Sequence, residues 1–191
     1  MAATDLTKDI IESVNKAHGE GKAMALSSPD LSIHIPGVIS TSSEWLDWSL
    51  GRGGIPLGRI SMIGGNEGTG KTTLALHLCA NVQKMGGVAF YVDAEYKLDV
   101  DYAHALGVDT DRLILSQPDH MEQALETIQT AVERISEYRK RTGERIPALI
   151  VLDSLNAMAT KAELEGALSD QHYAPQARVM SKALKLMARL L

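Results

Sequence analysis

Residues 64–78 read GGNEGTGKTTLALHL and contain the pattern G-x-x-x-x-G-K-[ST], which begins at Gly65. An apolar stretch, RISMI at 59–63, precedes the pattern, and an apolar helical repeat follows it. Glycines at this spacing let successive backbone N–H groups curl around a phosphate, and the positive end of the helix adds to the attraction. The stretch therefore predicts a strand over 59–63, a phosphate-binding loop and a helix over 71–85. The alternative, a glycine-rich turn with a surface lysine, is disfavoured because the whole pattern occurs in the required context.

The loop predicts a site for ATP and Mg²⁺. Lys71 is expected to reach the β- and γ-phosphates, and the Thr72 hydroxyl is expected to ligate Mg²⁺. Thr73 is a further phosphate contact in this interpretation. The expected nucleotide-binding residues of the loop are Gly65, Asn66, Glu67, Gly68, Thr69, Gly70, Lys71, Thr72 and Thr73.

Beyond the loop, short apolar strands alternate with helices. The pattern predicts strands over 88–93, 112–116 and 148–153, and helices over 99–106, 121–135 and 175–191. This alternation is typical of an α/β fold with a mainly parallel, doubly wound sheet that is covered on both faces.

The segment before the core, residues 1–39, is predicted to contain one helix and one strand. Apolar residues at helical spacing over 5–17 precede two glycines, and the extended stretch 33–39 contains a proline that suits an edge or a bend. The pattern alone leaves open whether this arm folds onto its own domain or docks elsewhere. A short capped helix and a glycine-rich loop at 51–58 then lead into a core domain predicted over 40–191.

Two acidic residues are expected near the phosphates. Asp153 ends the apolar strand ALIVLD, where a carboxylate can hold the Mg²⁺ shell, usually through water, with Ser154 as a supporting residue. Glu95 follows the strand VAFYVD and could polarise an attacking water. Asp153 could instead be one of the many acids that end strands, and Glu95 could be a solvated loop acid or a helix cap.

A polar segment, residues 163–177, follows the strand that carries Asp153 and is predicted to be a loop at the carboxyl end of the sheet. Tyr173, Arg178, Lys182 and Lys185 could form a stacking and phosphate-binding site for single-stranded nucleic acid. An exposed loop beside a solvated helix face is the alternative.

Composition and charge limit the classes of function. Hydrophobic residues make up 45% of the 191 residues and aromatic residues 4%, which predicts a globular chain with an aliphatic core. The formal charge of -5 gives no general attraction to nucleic acid, so such binding needs a local basic site. No apolar run approaches the roughly 18 residues that span a bilayer, and the start of the chain lacks a signal-peptide pattern. We therefore expect a cytoplasmic protein with no membrane partner, and we expect its single cysteine, Cys79, to be buried.

Taken together, the motifs resemble those of RecA-type homologous recombinases. The resemblance covers nearly the whole chain and depends on the phosphate loop together with more specific segments. These segments are ISTSSEWLDWSLGRGGIPLGRI, YVDAEYKLDVDYAHALGVD, LILSQPDHMEQALE, LIVLDSLNAMATKAELEG and SDQHYAPQARVMSKAL.

The resemblance implies a DNA-dependent ATPase that binds single-stranded DNA as a helical filament, pairs it with a homologous duplex and promotes strand exchange in recombination and repair. It implies that Glu95 is the water-activating base, that Asp153 is linked to Mg²⁺ and that Asp99 and Tyr102 flank the adenine. The first DNA-binding loop would lie at 163–177, and residues 1–39 would pack on the next protomer. The implied DNA contacts are Tyr173, Arg178, Ser181 and Lys185.

The sequence departs from the family pattern at its end, because the family continues into further strands and a second DNA loop. We therefore expect a sheet that is incomplete at its C-terminal end. A fragment, a split gene whose second chain supplies the remaining half, and a compact variant are the competing explanations. A truncated regulatory protein that binds ATP and caps a full-length recombinase filament is the alternative function, and another ATPase of the same fold is a third.

Overall fold

A computed structural model describes residues 3–28, 35–165 and 175–190. The chain divides into two compact units, Met1–Ile35 and Pro36–Leu191. The first unit contains helix α1 (Ala3–His18), which confirms the helix predicted over 5–17. The Asn15 side chain exchanges two hydrogen bonds of 2.8 Å with the backbone of Ala23, which ties the turn after α1 to the helix.

The second unit alternates strands and helices, as the sequence predicts. Its strands are β1 (Val38–Ile39), β2 (Ile55–Pro56), β3 (Val88–Asp93), β4 (Leu113–Ser116) and β5 (Ala148–Asp153). Its helices are α2 (Glu44–Ser49), α3 (Lys71–Lys84), α4 (Val100–Ala105), α5 (Met121–Thr142), α6 (Lys161–Glu165) and α7 (Pro175–Leu190), and a short 3-10 turn spans Leu155–Ala157.

The main sheet is parallel, with the strand order β4-β3-β5. The central strand β3 pairs in register with both neighbours, and Asp93 lies opposite Asp153 at the carboxyl end of the sheet. Residues of β3 alternate between two cores, because successive side chains of a strand point to opposite faces. Ala89 and Tyr91 pack with α3, whereas Phe90 and Val92 pack with α5 and α7. Both faces are therefore covered, which confirms the predicted α/β fold class.

Two details near the sheet differ from the sequence-based prediction. The glycine-rich loop contains β2, which pairs antiparallel with β1, so Val38 and Ile39 belong to a two-stranded sheet of the second unit. The predicted strand over 59–63 is wrong, because residues 60–66 have no regular structure and Met62 is 94% exposed.

The absence of this strand has a physical cause. A strand is stable only when its backbone pairs with a neighbour, however favourable its residues are. Residues 59–63 pair with none of the strands β4, β3 and β5 of the main sheet. The apolar residues of this stretch are therefore not enough to make it a strand here.

No helix within residues 3–28, 35–165 or 175–190 combines the length and the apolar character that crossing a membrane requires.

The core makes a prediction about Cys79, which is 0% exposed within α3. Burial raises the pKa of its thiol to about 12, and the thiolate is the reactive form. We expect the native protein to resist a disulfide-exchange reagent at mildly alkaline pH and to react with one equivalent after denaturation in guanidinium chloride. Absorbance of the released thiolate measures both reactions, and rapid labelling of the native protein would contradict the buried position.

Candidate nucleotide-binding site

The loop predicted to bind phosphate, residues 65–70, folds back on itself before α3 begins. The Thr69 hydroxyl donates to the carbonyl of Asn66 at 2.7 Å. A Cβ atom at Gly65 would lie 2.7 Å from the Thr69 hydroxyl oxygen, so a larger residue there would force the Thr69 side chain to move. Gly70 precedes the helix with φ of 88°, a left-handed conformation that favours glycine. Both ends of the loop therefore favour glycine.

Lys71 closes the same loop from its helical side. Its ammonium donates to the carbonyls of Gly65 at 3.0 Å and Asn66 at 2.8 Å. An ammonium group has three N–H donors, so one donor remains beyond these two bonds. Lys71 is therefore held at the N-terminus of α3, where the helix dipole also favours an anion.

The end of β5 meets the first turn of α3 through Asp153. The Thr72 hydroxyl donates to Asp153 Oδ2 at 2.6 Å. Tyr91, which lies on β3, donates its hydroxyl hydrogen to the same oxygen at a distance of 2.7 Å. Burial first, and then the hydrogen bond to Asp153, raises the pKa of Tyr91 far above its usual range. The structure thus brings together the two residues predicted to hold Mg²⁺ and adds a tyrosine that the sequence analysis missed.

Glu95 lies beside this carboxylate, in the loop that follows β3. Its two carboxylate oxygens accept hydrogen bonds from the Ser154 hydroxyl at 2.8 Å and from the Lys97 ammonium at 3.1 Å. These bonds, with the one from Ser154 the larger influence, lower the pKa of Glu95. Ser154, which was expected to support Asp153, donates to Glu95 instead. The hydrogen bond to Glu95 and the charge of that residue raise the pKa of Lys97 in turn.

Asp93 shapes the loop that carries Glu95. The carboxylate of Asp93 is buried, and the residue is 3% exposed. It accepts the backbone N–H groups of Lys97 at 3.3 Å and Leu98 at 3.1 Å, and the side-chain amide of Gln117 at 3.1 Å. The sequence analysis did not predict that Asp93 and Gln117 contact each other. Asp93 ends β3 in the motif DAE and Gln117 directly follows β4 in the motif SQPD, and adjacent parallel strands bring such ends together.

The residues predicted to flank adenine lie at the start of α4. Asp99 caps this helix by accepting the backbone N–H of Tyr102 at 2.9 Å. The hydroxyl of Tyr102 lies 2.9 Å from the hydroxyl of Thr73 on α3, and either group can donate. Tyr102 is thus adjacent to the phosphate-binding helix, and the contact of both residues with adenine stays a prediction.

Three of the four predicted DNA contacts, Arg178, Ser181 and Lys185, lie on α7. Val179, Met180, Ala183 and Met187 of this helix pack against the sheet core. Tyr173 lies outside the described residues. The residues that share the open, exposed face of α7 are Ala177, Arg178, Ser181, Lys182 and Lys185.

Comparison with known proteins shows the family of the chain. The family model of the RecA N-terminal domain matches residues 5–191. The chain belongs to the RecA family.

Several relatives within the RecA family are similar to most of this chain. RecA of Petrotoga mobilis is 46% identical over 188 residues, which cover 96% of this chain and 47% of that protein. RecA of Bifidobacterium breve is 51% identical over 174 residues, or 91% and 41% of the two chains. RecA of Cutibacterium acnes is 47% identical over 191 residues, or 98% and 51%. The chain spans about half the length of these relatives.

Family membership confirms the resemblance to RecA-type proteins that the motifs indicated. The structure gathers Lys71, Thr72, Asp153 and Glu95 at the carboxyl ends of β3 and β5, next to the N-terminus of α3. In parallel α/β sheets, ligands bind at this end. The arrangement is therefore suited to a nucleoside triphosphate with its metal ion.

The buried position of Asp93 makes a testable prediction. In Asp93→Asn an amide replaces one acceptor oxygen, and its NH₂ group then faces the N–H donors of the loop. We expect the free energy of unfolding to fall by about 1–3 kcal/mol, as measured by urea denaturation, because buried donors lose their acceptor. The matched control is Asp101→Asn on the exposed side of α4, which should change stability by less than about 0.5 kcal/mol. Equal stability of the two variants would refute the structural role of Asp93.

Proposed function

We propose that this chain is the ATP-binding part of a homologous DNA recombination and repair protein that forms a filament on single-stranded DNA. The observation that carries the proposal is the hydrogen bond from Thr72 to Asp153, which joins the phosphate-binding helix to the end of β5. The Thr72 hydroxyl and the Asp153 carboxylate are the two protein groups needed next to a phosphate-bound Mg²⁺. The RecA family membership of the chain supports the proposed role in DNA recombination and repair and the proposed filament on DNA.

The donor set fits Mg²⁺. This ion prefers hard oxygen ligands and, in nucleotide sites, takes only one or two from the protein and the rest from phosphates and water. The Thr72 hydroxyl donates a hydrogen bond to Asp153, so the lone pairs of the hydroxyl oxygen remain available for a cation. Thr72 would hold the ion directly and Asp153 would hold its water shell. Bound Mg²⁺ would neutralise phosphate charge.

Lys71 and the loop backbone would bind the phosphates in this proposal. The ammonium already lies at the N-terminus of α3, and its remaining donor can reach an anion there. Phosphoryl transfer needs mainly positioning and charge neutralisation, so rigid placement of this cation is the main requirement. The nine loop residues from Gly65 to Thr73 form the proposed nucleotide site, with Asp99 and Tyr102 beside the adenine.

Glu95 would orient the attacking water. Ser154 and Lys97 lower the pKa of Glu95, so its carboxylate is ionised at neutral pH. The carboxylate can then accept a hydrogen bond from the attacking water and take its proton during the reaction. Asp93 holds the loop that presents it. Hydrolysis would weaken DNA binding and permit release, and ATP would maintain the DNA-binding form of the filament.

The exposed face of α7 would contact the DNA backbone. Arg178 and Lys185 supply positive charge on a face that points away from the core, and Ser181 lies between them on the same face. This local basic surface offsets the acidic character of the whole chain. In the proposal, Tyr173 adds a further contact, residues 1–39 pack on the next protomer, and a homologous duplex and a second chain are the other partners.

Nucleotide binding tests the proposal most directly. Lys71→Ala removes the ammonium from the phosphate loop and should raise the Kd for ATP with Mg²⁺ by roughly 10- to 100-fold, the effect of losing a charged hydrogen bond. Isothermal titration calorimetry measures the change. Lys84→Ala, at the other end of the same helix, removes the same charge and should leave the Kd unaltered. If the unmodified protein did not bind ATP, the proposed function would be wrong.

DNA binding has its own test on α7. The double variant Arg178→Ala/Lys185→Ala should bind single-stranded DNA more weakly in the presence of an ATP analogue. Because two phosphate contacts are lost, the slope of log K against log salt should become shallower by about 1.4. Fluorescence anisotropy at several salt concentrations measures this slope. The control Lys140→Ala/Arg145→Ala removes two exposed charges elsewhere, and an equal loss in that variant would show that α7 is not the DNA surface.

A further inference from the structure

Tyr91 places a single hydroxyl group directly against Asp153. The residue is 1% exposed, and its ring packs within the core cluster between the sheet and α3. Its register partner on β5 is Val151, two residues before Asp153, so Tyr91 and Asp153 belong to the same face of the sheet. The buried ring fixes the hydroxyl below the carboxylate at the strand end.

The two hydroxyl groups that reach Asp153 bind the same oxygen. Tyr91 and Thr72 donate to Oδ2 at 2.7 Å and 2.6 Å respectively. A carboxylate oxygen has about two lone-pair sites, so these donors occupy Oδ2, and Oδ1 accepts from neither of them. The two bonds arrive from different elements, β3 and α3. They therefore restrict the rotation of the carboxylate, which one bond alone would permit.

We propose that Tyr91 is a positioning residue for the Mg²⁺ site and that its hydroxyl orients the Asp153 carboxylate toward the water shell of the ion. The inference rests on the proposed nucleotide function. Groups that hold a metal-linked carboxylate in place through hydrogen bonds contribute to metal affinity without touching the metal. Tyr91 acts through Asp153 and touches neither the phosphates nor the attacking water.

The decisive variant is Tyr91→Phe, which keeps the buried ring and removes only the hydroxyl. Fluorescence of a nucleotide analogue is titrated with MgCl₂, first in the unmodified chain and then in the variant. The Mg²⁺ concentration needed for half-maximal binding should rise roughly 3- to 10-fold. Affinity for the nucleotide in the presence of EDTA should stay unchanged, because Lys71 and the loop are intact.

The matched control is Tyr138→Phe. Tyr138 on α5 also donates its hydroxyl to a carboxylate, that of Glu144 at 2.9 Å, so the same type of bond is removed away from the site. The Mg²⁺ dependence of this control should equal that of the unmodified chain. If Tyr91→Phe lowered the melting temperature but matched the control in Mg²⁺ dependence, Tyr91 would be merely structural and the inference would be overturned.

A double-mutant cycle removes the remaining ambiguity. In the Asp153→Asn background the hydroxyl has no carboxylate to orient, so adding Tyr91→Phe should cause no further change in Mg²⁺ dependence. Additive effects would show that Tyr91 acts by another route and would overturn the inference while leaving the proposed function standing. Absence of Mg²⁺-dependent nucleotide binding in the unmodified chain would overturn both.

Discussion

The parallel pairing of β3 with β5 is the constraint on which the candidate site depends. In-register pairing sets Asp93 opposite Asp153 at the carboxyl end of the sheet. One strand then supplies the carboxylate that Thr72 contacts, and the other supplies the loop with Glu95. A slip of one residue would turn these side chains to opposite faces of the sheet. The register of two buried strands therefore determines whether the charged groups meet.

Hydrogen bonds to the carboxylates at these strand ends hold the loop after β3 and the first turn of α3, which strand pairing does not position. Asp93 accepts hydrogen bonds from the backbone of the loop after β3 and from the side chain of Gln117, which follows β4. Asp153 ties β5 to α3 and to Tyr91. Each of these carboxylates accepts at least two hydrogen bonds, which offset part of the cost of removing a polar group from water. The result is a set of acidic groups held at fixed positions beside a helix N-terminus.

The sequence predicted most of the elements and singled out Lys71, Thr72, Glu95 and Asp153. It did not predict the roles of Tyr91, Asp93 and Gln117 or the contacts among these residues. The stretch 64–78 could be recognised from the sequence because its glycines meet local requirements. One example is the little space left between the Gly65 backbone and the Thr69 hydroxyl. The contacts of Asp93 with Gln117 and of Tyr91 with Asp153 were not readable, because they join residues 24 and 62 positions apart. The segment 59–63 shows the opposite failure. Its composition favours a strand, but composition does not determine whether the backbone pairs with a neighbouring strand.

The amino-acid sequence by itself determined the α/β class, the glycine-rich loop before α3 and the positions of Glu95 just after β3 and of Asp153 at the end of β5. Periodicity and glycine spacing are local properties, so they can be read along the chain. Only the tertiary structure decided that Ser154 supports Glu95 while Tyr91 and Thr72 share one oxygen of Asp153. The physical reason is that hydrogen-bond partners are chosen by strand register and helix packing, which bring distant side chains within about 3 Å of one another.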